Sequence, residues 1–245
     1  MSIKCISVSK TYFISGDSSQ APPAHRPEAR NHRHRVHALL NVSIDINEGS
    51  FTIITGPTGS GKTTLLSMLA GIALPSEGEV AIGRLRLTAS KDADISLFRA
   101  RHIGFIPQTV CLIGDLSVLE NVIAPSAFQS MSIPHLRASA LALLERLGLA
   151  RKAACKPHDL SGGEMRKVMI ARATVKEPSY ILADEPLSDL DRDSAVQALR
   201  LFSDLHKRGA AVVIATQAAI RLKRPMDIYR LEGGIISRHR RGRGA

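Results

Sequence analysis

Nine consecutive residues, Gly56-Pro57-Thr58-Gly59-Ser60-Gly61-Lys62-Thr63-Thr64, combine glycines, a lysine and hydroxyls at a spacing suited to holding phosphate groups. Glycines let a backbone curl until successive N–H groups point inward at anionic oxygens, and a helix start behind them adds positive potential. Lys62 can then reach the β- and γ-phosphates of a nucleoside triphosphate, and the Thr63 hydroxyl can ligate Mg²⁺. Further along, Asp184 closes an apolar run, Ile181-Leu182-Ala183. A carboxylate there is costly unless a cation meets it, which makes Asp184 a second candidate ligand for the metal.

These residues need elements to position them. Phe51-Thr-Ile-Ile-Thr55 is β-rich and apolar, as a buried strand should be. Lys62 to Ala70 reads as a helix with Leu65, Leu66 and Leu69 on one face and Gly71 as its stop. Ile3–Val8 and Val42–Ile46 alternate like strands of an antiparallel sheet, with Tyr12 closing the first. Between them, 15–35 carries Pro, Ser, Gly and charge in the proportions of a mobile basic insertion. Residues 90–156 read as mostly helical. The clearest helix there has Ser132 as N-cap, Pro134 in its first turn, an apolar stripe at Leu136, Ala140, Leu143, Leu144 and Leu147, and Gly148 at its end. Tyr180–Ala183, Ala211–Ala215 and Ile228–Leu231 are apolar strands, and Gly233-Gly234 turns the last into a hairpin with Ile235-Ile236. Strands alternating with helices imply an α/β fold with a largely parallel sheet whose C-terminal ends carry the site.

At 245 residues the chain can hold one large α/β domain with ample core. It has no run of eighteen apolar residues and no apolar stretch near Met1 resembling a signal sequence. Cys5, Cys111 and Cys155 are scattered, matching neither a disulfide framework nor a zinc spacing, which suits the cytosol. The net charge of +11 gathers partly in the 15–35 segment and in a tail over 238–245. Neither stretch interleaves aromatics that could stack on bases, so no specific nucleic acid is expected. A solvated loop and a frayed tail are the simplest account of both, with contact to an anionic membrane surface as the functional alternative.

A run of motifs narrows the chemistry. The phosphate loop is followed by Gln108, then Leu160-Ser161-Gly162-Gly163-Glu164, then Ile181-Leu-Ala-Asp184-Glu185-Pro186, then Ser188-Asp-Leu-Asp191. In this order, and over nearly the whole chain, the sequence resembles the ATP-binding cassette of ABC transporters. The resemblance implies a single ABC ATPase domain over 1–245: a P-loop NTPase core with a mostly parallel sheet, an antiparallel β subdomain and a helical signature-motif subdomain. It implies that Tyr12 stacks on adenine and that Gly56 through Thr64 hold the phosphates of ATP. Thr63, Gln108 and Asp184 would serve the Mg²⁺, and Glu185 would polarise the attacking water. Ser161, Gly162, Gly163, Glu164 and Asp191 would reach the nucleotide held by a second cassette, of the same or another chain, so that ATP joins two subunits.

One position departs from the family pattern. Where a switch histidine is usual after Ala211–Thr216, this chain has Gln217. An amide can donate a hydrogen bond but cannot carry a proton, so slowed hydrolysis with ATP binding intact is expected. Val36 to Ser43, Pro75-Ser-Glu-Gly78, Arg101 to Phe105 and Leu116 to Asn121 are similar to the small stand-alone cassettes of lipoprotein release, macrolide export and FtsE-like division complexes. That similarity implies a separate integral membrane permease as partner, a peripheral place on the cytoplasmic face of the membrane, and work as an export or extraction motor. A mechanical regulator of a cell-wall or division system, moving no cargo, is the alternative. A soluble ATPase acting on nucleic acid or ribosomes is suggested by the charge alone.

Overall fold

The computed structural model describes residues 1–15, 33–128, 132–218, 220 and 225–242. Two sheets carry the molecule. The first is antiparallel: β1 (Ser2–Ser15) pairs with β2 (Arg33–Asn47) on one side and with β4 (Glu77–Ile82) on the other, and β5 (Leu85–Arg86) adds to β4. The second has the strand order β10-β9-β3-β8-β7-β6, built from β3 (Phe51–Thr55), β6 (Ile103–Ile106), β7 (Tyr180–Asp184), β8 (Ala211–Thr216), β9 (Met226–Glu232) and β10 (Ile235–Gly242). All its pairings are parallel except the β9–β10 hairpin.

The period-two alternation of a strand decides where the core lies. In β7 and β8, Ile181, Ala183, Val212 and Ile214 face one cluster, while Tyr180, Leu182, Ala211, Val213 and Ala215 face another. Both faces are buried, so these strands read as unbroken apolar runs. The second cluster fills the space between the sheets and takes in Leu65, Leu66, Met68 and Leu69 of α1 (Lys62–Leu69). The first lies under α3 (Val118–Ile123), α4 (Ile133–Arg146), α5 (Gly162–Thr174) and α6 (Arg192–Lys207). Leu136, Ala140, Leu144 and Leu147 make the buried stripe of the α4 region, and each fully buried leucine contributes about 2 kcal/mol.

Several expectations need correction. Tyr12 does not close the first strand: β1 continues to Ser15, which pairs with Arg33, because the hairpin ladder runs on into the basic stretch. The expected insertion over 15–35 is therefore strand at both ends, and 16–32 lie outside the described residues. Likewise Arg238–Gly242 of the supposed frayed tail pair with β9 as part of β10, and 243–245 lie outside the described residues. The 90–156 region contains α2 (Asp92–His102), α3 and α4, but also β6, an edge strand of the parallel sheet. There α3 and α4 share one core with that sheet, whereas Ile95 of α2 joins the cluster between the sheets. Ser132 stands at the N-cap of α4, yet its side chain makes no capping hydrogen bond.

Candidate functional site

The phosphate loop is shaped by what lies beneath it. A Cβ on Gly56 would sit 2.0 Å from the Leu231 carbonyl oxygen, and one on Gly61 would sit 2.3 Å from that of Ala38. Only glycine lets the loop pass this close to β9 and β2. Gly61 is left-handed at φ 102°, and no side chain caps α1 behind it. Lys62 turns its ammonium back along the loop, donating to the Gly56 carbonyl at 2.8 Å and the Pro57 carbonyl at 2.9 Å. Ser60 points inward: it is 3% exposed, and its N–H closes the turn onto the Pro57 carbonyl.

Opposite the loop stand the two acids. Asp184 ends β7 at 1% exposure and accepts a 2.5 Å hydrogen bond from the Thr63 hydroxyl through Oδ2. Its Oδ1 is buried without a hydrogen-bond partner among the described residues. Burial pushes this carboxyl above the usual range and the Glu185 charge adds to the rise, while the Thr63 hydrogen bond and the charges of Lys62 and Arg166 oppose it. Glu185 follows with φ 44°, a strained backbone for a residue with a Cβ, anchored by its N–H to the Ala215 carbonyl. Its carboxylate accepts from the Thr216 hydroxyl at 2.9 Å and from the Gln217 backbone N–H at 2.8 Å. The Gln217 side chain is directed elsewhere, its Oε1 accepting from the Thr58 hydroxyl of the loop at 3.2 Å.

One cavity of about 280 Å³ collects Tyr12, Val36, His37, Ala38, Thr58, Gly59, Gly61, Lys62, Thr63, Thr64, Gln108, Asp184, Glu185 and Gln217. Tyr12, 42% exposed, stands on the wall that the antiparallel sheet contributes. A larger cavity of about 540 Å³ lies between α2, Pro125 and Lys176 and contains no carboxylate or phosphate-type loop, so the chemistry is not there.

The remaining sequence-derived residues lie away from this cavity's lining. Ser161 N-caps α5, its Oγ accepting from the Glu164 N–H at 3.3 Å while the Glu164 carboxylate accepts from the Ser161 N–H at 2.9 Å. Those bonds hold the Glu164 carboxyl below its usual range, with a 3.4 Å ion pair to Lys152 beside it. Glu164 is thus turned onto its own helix start. Gly162 is exposed, and a Cβ there would meet nothing within 4 Å. Asp191 N-caps α6, accepting at 2.8 Å from both the N–H and the hydroxyl of Ser194.

Sequence reasoning missed Val36, His37 and Thr216. His37 accompanies Tyr12 on the wall, its Nδ1 3.1 Å from the Thr11 hydroxyl. Thr216 adjoins Gln217, yet only the folded chain brings its hydroxyl to Glu185. The apolar Ala211–Ala215 run ending at a hydroxyl was the one available signal for it.

The family model described as "ABC transporter" matches residues 39–188, which contain the phosphate loop, Gln108, the Ser161–Glu164 turn and both acids. The chain belongs to that family. It is an ATP-binding ATPase cassette of the group that includes lipoprotein-release and macrolide-export subunits. The lipoprotein-releasing system ATP-binding protein LolD of Pseudomonas syringae pv. tomato is 38% identical over 202 residues, 82% of this chain and 89% of that protein. The macrolide export ATP-binding/permease protein MacB of Rhodopseudomonas palustris is 39% identical over 82% of this cassette, which spans 31% of that longer protein. Among solved structures, a dimeric post-hydrolysis state of the cassette MJ0796 bound to ADP and Pi superposes with TM-score 0.83 at 32% identity, covering 98% of each chain. Among the described residues, no helix of this cassette is long and apolar enough to cross a membrane.

Proposed function

We propose that this cassette is the motor subunit of an export or extraction system, coupling ATP-driven pairing of two cassettes to a separate integral membrane permease from the cytoplasmic face. One observation carries the reading. The phosphate loop and both acids share one cavity, whereas the α5 start at Ser161–Gly163 and the Asp191 loop lie off its lining, complete in themselves and open to a second copy. The names of relatives, for lipoprotein release and for macrolide export, favour this direction of work.

In this reading the N–H groups of the loop and of the uncapped α1 start bind the ATP phosphates, and the Lys62 ammonium exchanges a loop carbonyl for phosphate oxygen. Tyr12 offers its ring to the base. The residues present fit Mg²⁺: Asp184 Oδ1 is a buried oxygen in need of a partner, and Thr63 and Gln108 adjoin it on the cavity wall. Bound there, the metal would neutralise charge on the phosphates. Glu185, held from both sides by Thr216 and the Gln217 N–H, orients water and takes up its proton. A backbone N–H supplies one of those contacts, so ATP hydrolysis survives the absence of a histidine at 217, though slowed.

Trapping the ATP-bound pair with Glu185→Gln, followed by gentle membrane solubilisation and identification of co-purifying proteins, tests the assignment. A polytopic permease is the expected partner. A cell-wall or division enzyme complex without cargo-dependent turnover would replace transport by mechanical regulation, and the absence of any membrane protein would overturn both. For residue 217, turnover of Gln217→His should exceed that of the parent with the partner present; equal or lower turnover would remove the substitution as the cause of slowness.

A further inference from the structure

Arg166, in the second turn of α5, is the least expected side chain near the site. Its guanidinium is 3% exposed and is shared between two loops. Nη1 donates to the Pro107 carbonyl at 2.9 Å and Nη2 to the Gln108 carbonyl at 2.7 Å. Nε and Nη2 donate to Asp189 Oδ2 at 3.2 and 2.6 Å. The same carboxylate oxygen lies 3.3 Å from the Ser188 hydroxyl, which also reaches the Glu185 carbonyl at 3.1 Å. A Cβ on Gly163 would come within 2.9 Å of the Asp189 carbonyl oxygen, so the start of α5 is packed against the loop that Arg166 grips.

Burying a charge is unfavourable unless its geometry is good and its donors are used. Here its donors secure contacts between segments far apart in sequence. Gln108 lines the nucleotide cavity, whereas Asp189, with a side chain 48% exposed, precedes the Asp191 cap on the open side of the molecule. One guanidinium therefore spans the distance between the cavity wall and the outward-facing loop. The hydrogen bond from Arg166 also holds the Asp189 carboxyl below its usual range, as expected of a standing ion pair.

We propose that Arg166 is a positioning residue that locks the Gln108 loop and the 188–191 loop to the start of α5, so that nucleotide in the cavity sets the shape of the surface offered to a second cassette. This rests on the proposed pairing of cassettes. Arg166 touches no nucleotide in this scheme and acts through Gln108 and Asp189. Its loss should weaken ATP-driven pairing and turnover while leaving ATP affinity in place.

The test uses the full chain carrying Glu185→Gln, with a fluorescent ATP analogue to read affinity and sedimentation velocity to read ATP-dependent self-association. Turnover is measured with Glu185 intact. For Arg166→Met, ATP affinity should stay within about 3-fold of the parent while the protein concentration for half-pairing rises about 10-fold or more, the size set by losing charge-assisted bonds. Arg166→Lys should recover part of this loss. Asp189→Asn should show a smaller rise, and the double variant Arg166→Met/Asp189→Asn should be no worse than Arg166→Met alone, since one acts through the other. Parent-level pairing and turnover in a folded Arg166→Met protein would overturn the role, as would a loss of ATP affinity equal to the loss of pairing. If Arg166→Met does not fold, unchanged pairing in Asp189→Asn overturns it instead. A parent that hydrolyses ATP but never self-associates would sink the pairing reading alone; kcat then decides, and an Arg166→Met value equal to the parent's removes the positioning role.

Discussion

Two helices of this cassette begin at glycine-containing turns, and they begin in opposite ways. α1 starts from a left-handed Gly61 with no side chain capping it, and its loop holds its path because Gly56 and Gly61 lie tight against the backbone of β9 and β2. α5 starts from Ser161 with a complete capping box, two donors satisfied reciprocally by Ser161 and Glu164. The first start owes its shape to distant strands and keeps its N–H groups for a ligand. The second takes its cap from four neighbouring residues and leaves Gly162 exposed, while Gly163 rests half-buried against the Asp189 loop. A ligand bound within one chain can rely on a frame assembled by the whole fold. A helix start offered to a second copy is capped by its own residues and braced by the neighbouring 188–191 loop.

The contrast breaks most severely at Gly56→Ala. A Cβ placed 2.0 Å from a backbone oxygen forces β9 or the loop to move, so a loss of about 3 kcal/mol in unfolding free energy is expected, with ATP affinity falling together with it. Calorimetric unfolding and isothermal titration report the two quantities. Next in size is Thr216→Val, which removes the hydroxyl that holds Glu185 and leaves the Ala218 N–H without its 3.0 Å acceptor. Turnover should fall about 30-fold at nearly unchanged ATP affinity, a loss of roughly 2 kcal/mol in the barrier. An unaltered kcat would show that Glu185 needs no such support.

On the α5 side the effects should be smaller and separable. Ser161→Ala deletes the N-cap and should cost about 1 kcal/mol in chemical denaturation. Gly162→Ala should do the reverse, raising stability by up to about 1 kcal/mol because the site is open and a helical alanine orders more readily. Yet ATP-dependent pairing should be lost if that helix start meets a partner's phosphate. Pairing at the parent's level would mean that the two helix starts do not serve a common nucleotide, and the comparison would collapse.

Much of this architecture was legible in the residues. β3, the loop and α1 announce themselves by a β-branched run, three glycines and a leucine face, and β7 and β8 by apolar runs buried on both sides. What escaped notice depends on pairing over distance. Arg33–Arg35 and Arg238–Gly242 read as solvated basic chain, yet hydrogen bonding to a neighbouring strand places them in sheets despite their composition. β6 is legible as the short apolar run before Gln108, but four residues inside a helical stretch do not announce which sheet they join. At the site, residue types pointed to Lys62 and Asp184, and the family resemblance to Glu185. Thr216 and Arg166 carry ordinary side chains whose importance lies in what reaches them from 31 positions away and from 58 and 59 positions away, respectively.

The Ala38 carbonyl is wedged between two glycines, with a Cβ on Gly61 2.3 Å from it and one on Gly234 3.1 Å from it, and the Leu40 N–H donates to the Gly234 carbonyl at 2.8 Å. Three pieces of chain are thereby pinned at one point: the phosphate loop, the strand that brings Val36 and His37 to the cavity wall proposed to receive the base, and the turn of the terminal hairpin. For anyone building nucleotide analogues against this protein, the consequence is additivity. Gains made at the base end and gains made at the phosphate end should sum, because the two halves of the pocket arrive already in register and no binding energy is diverted into bringing them together.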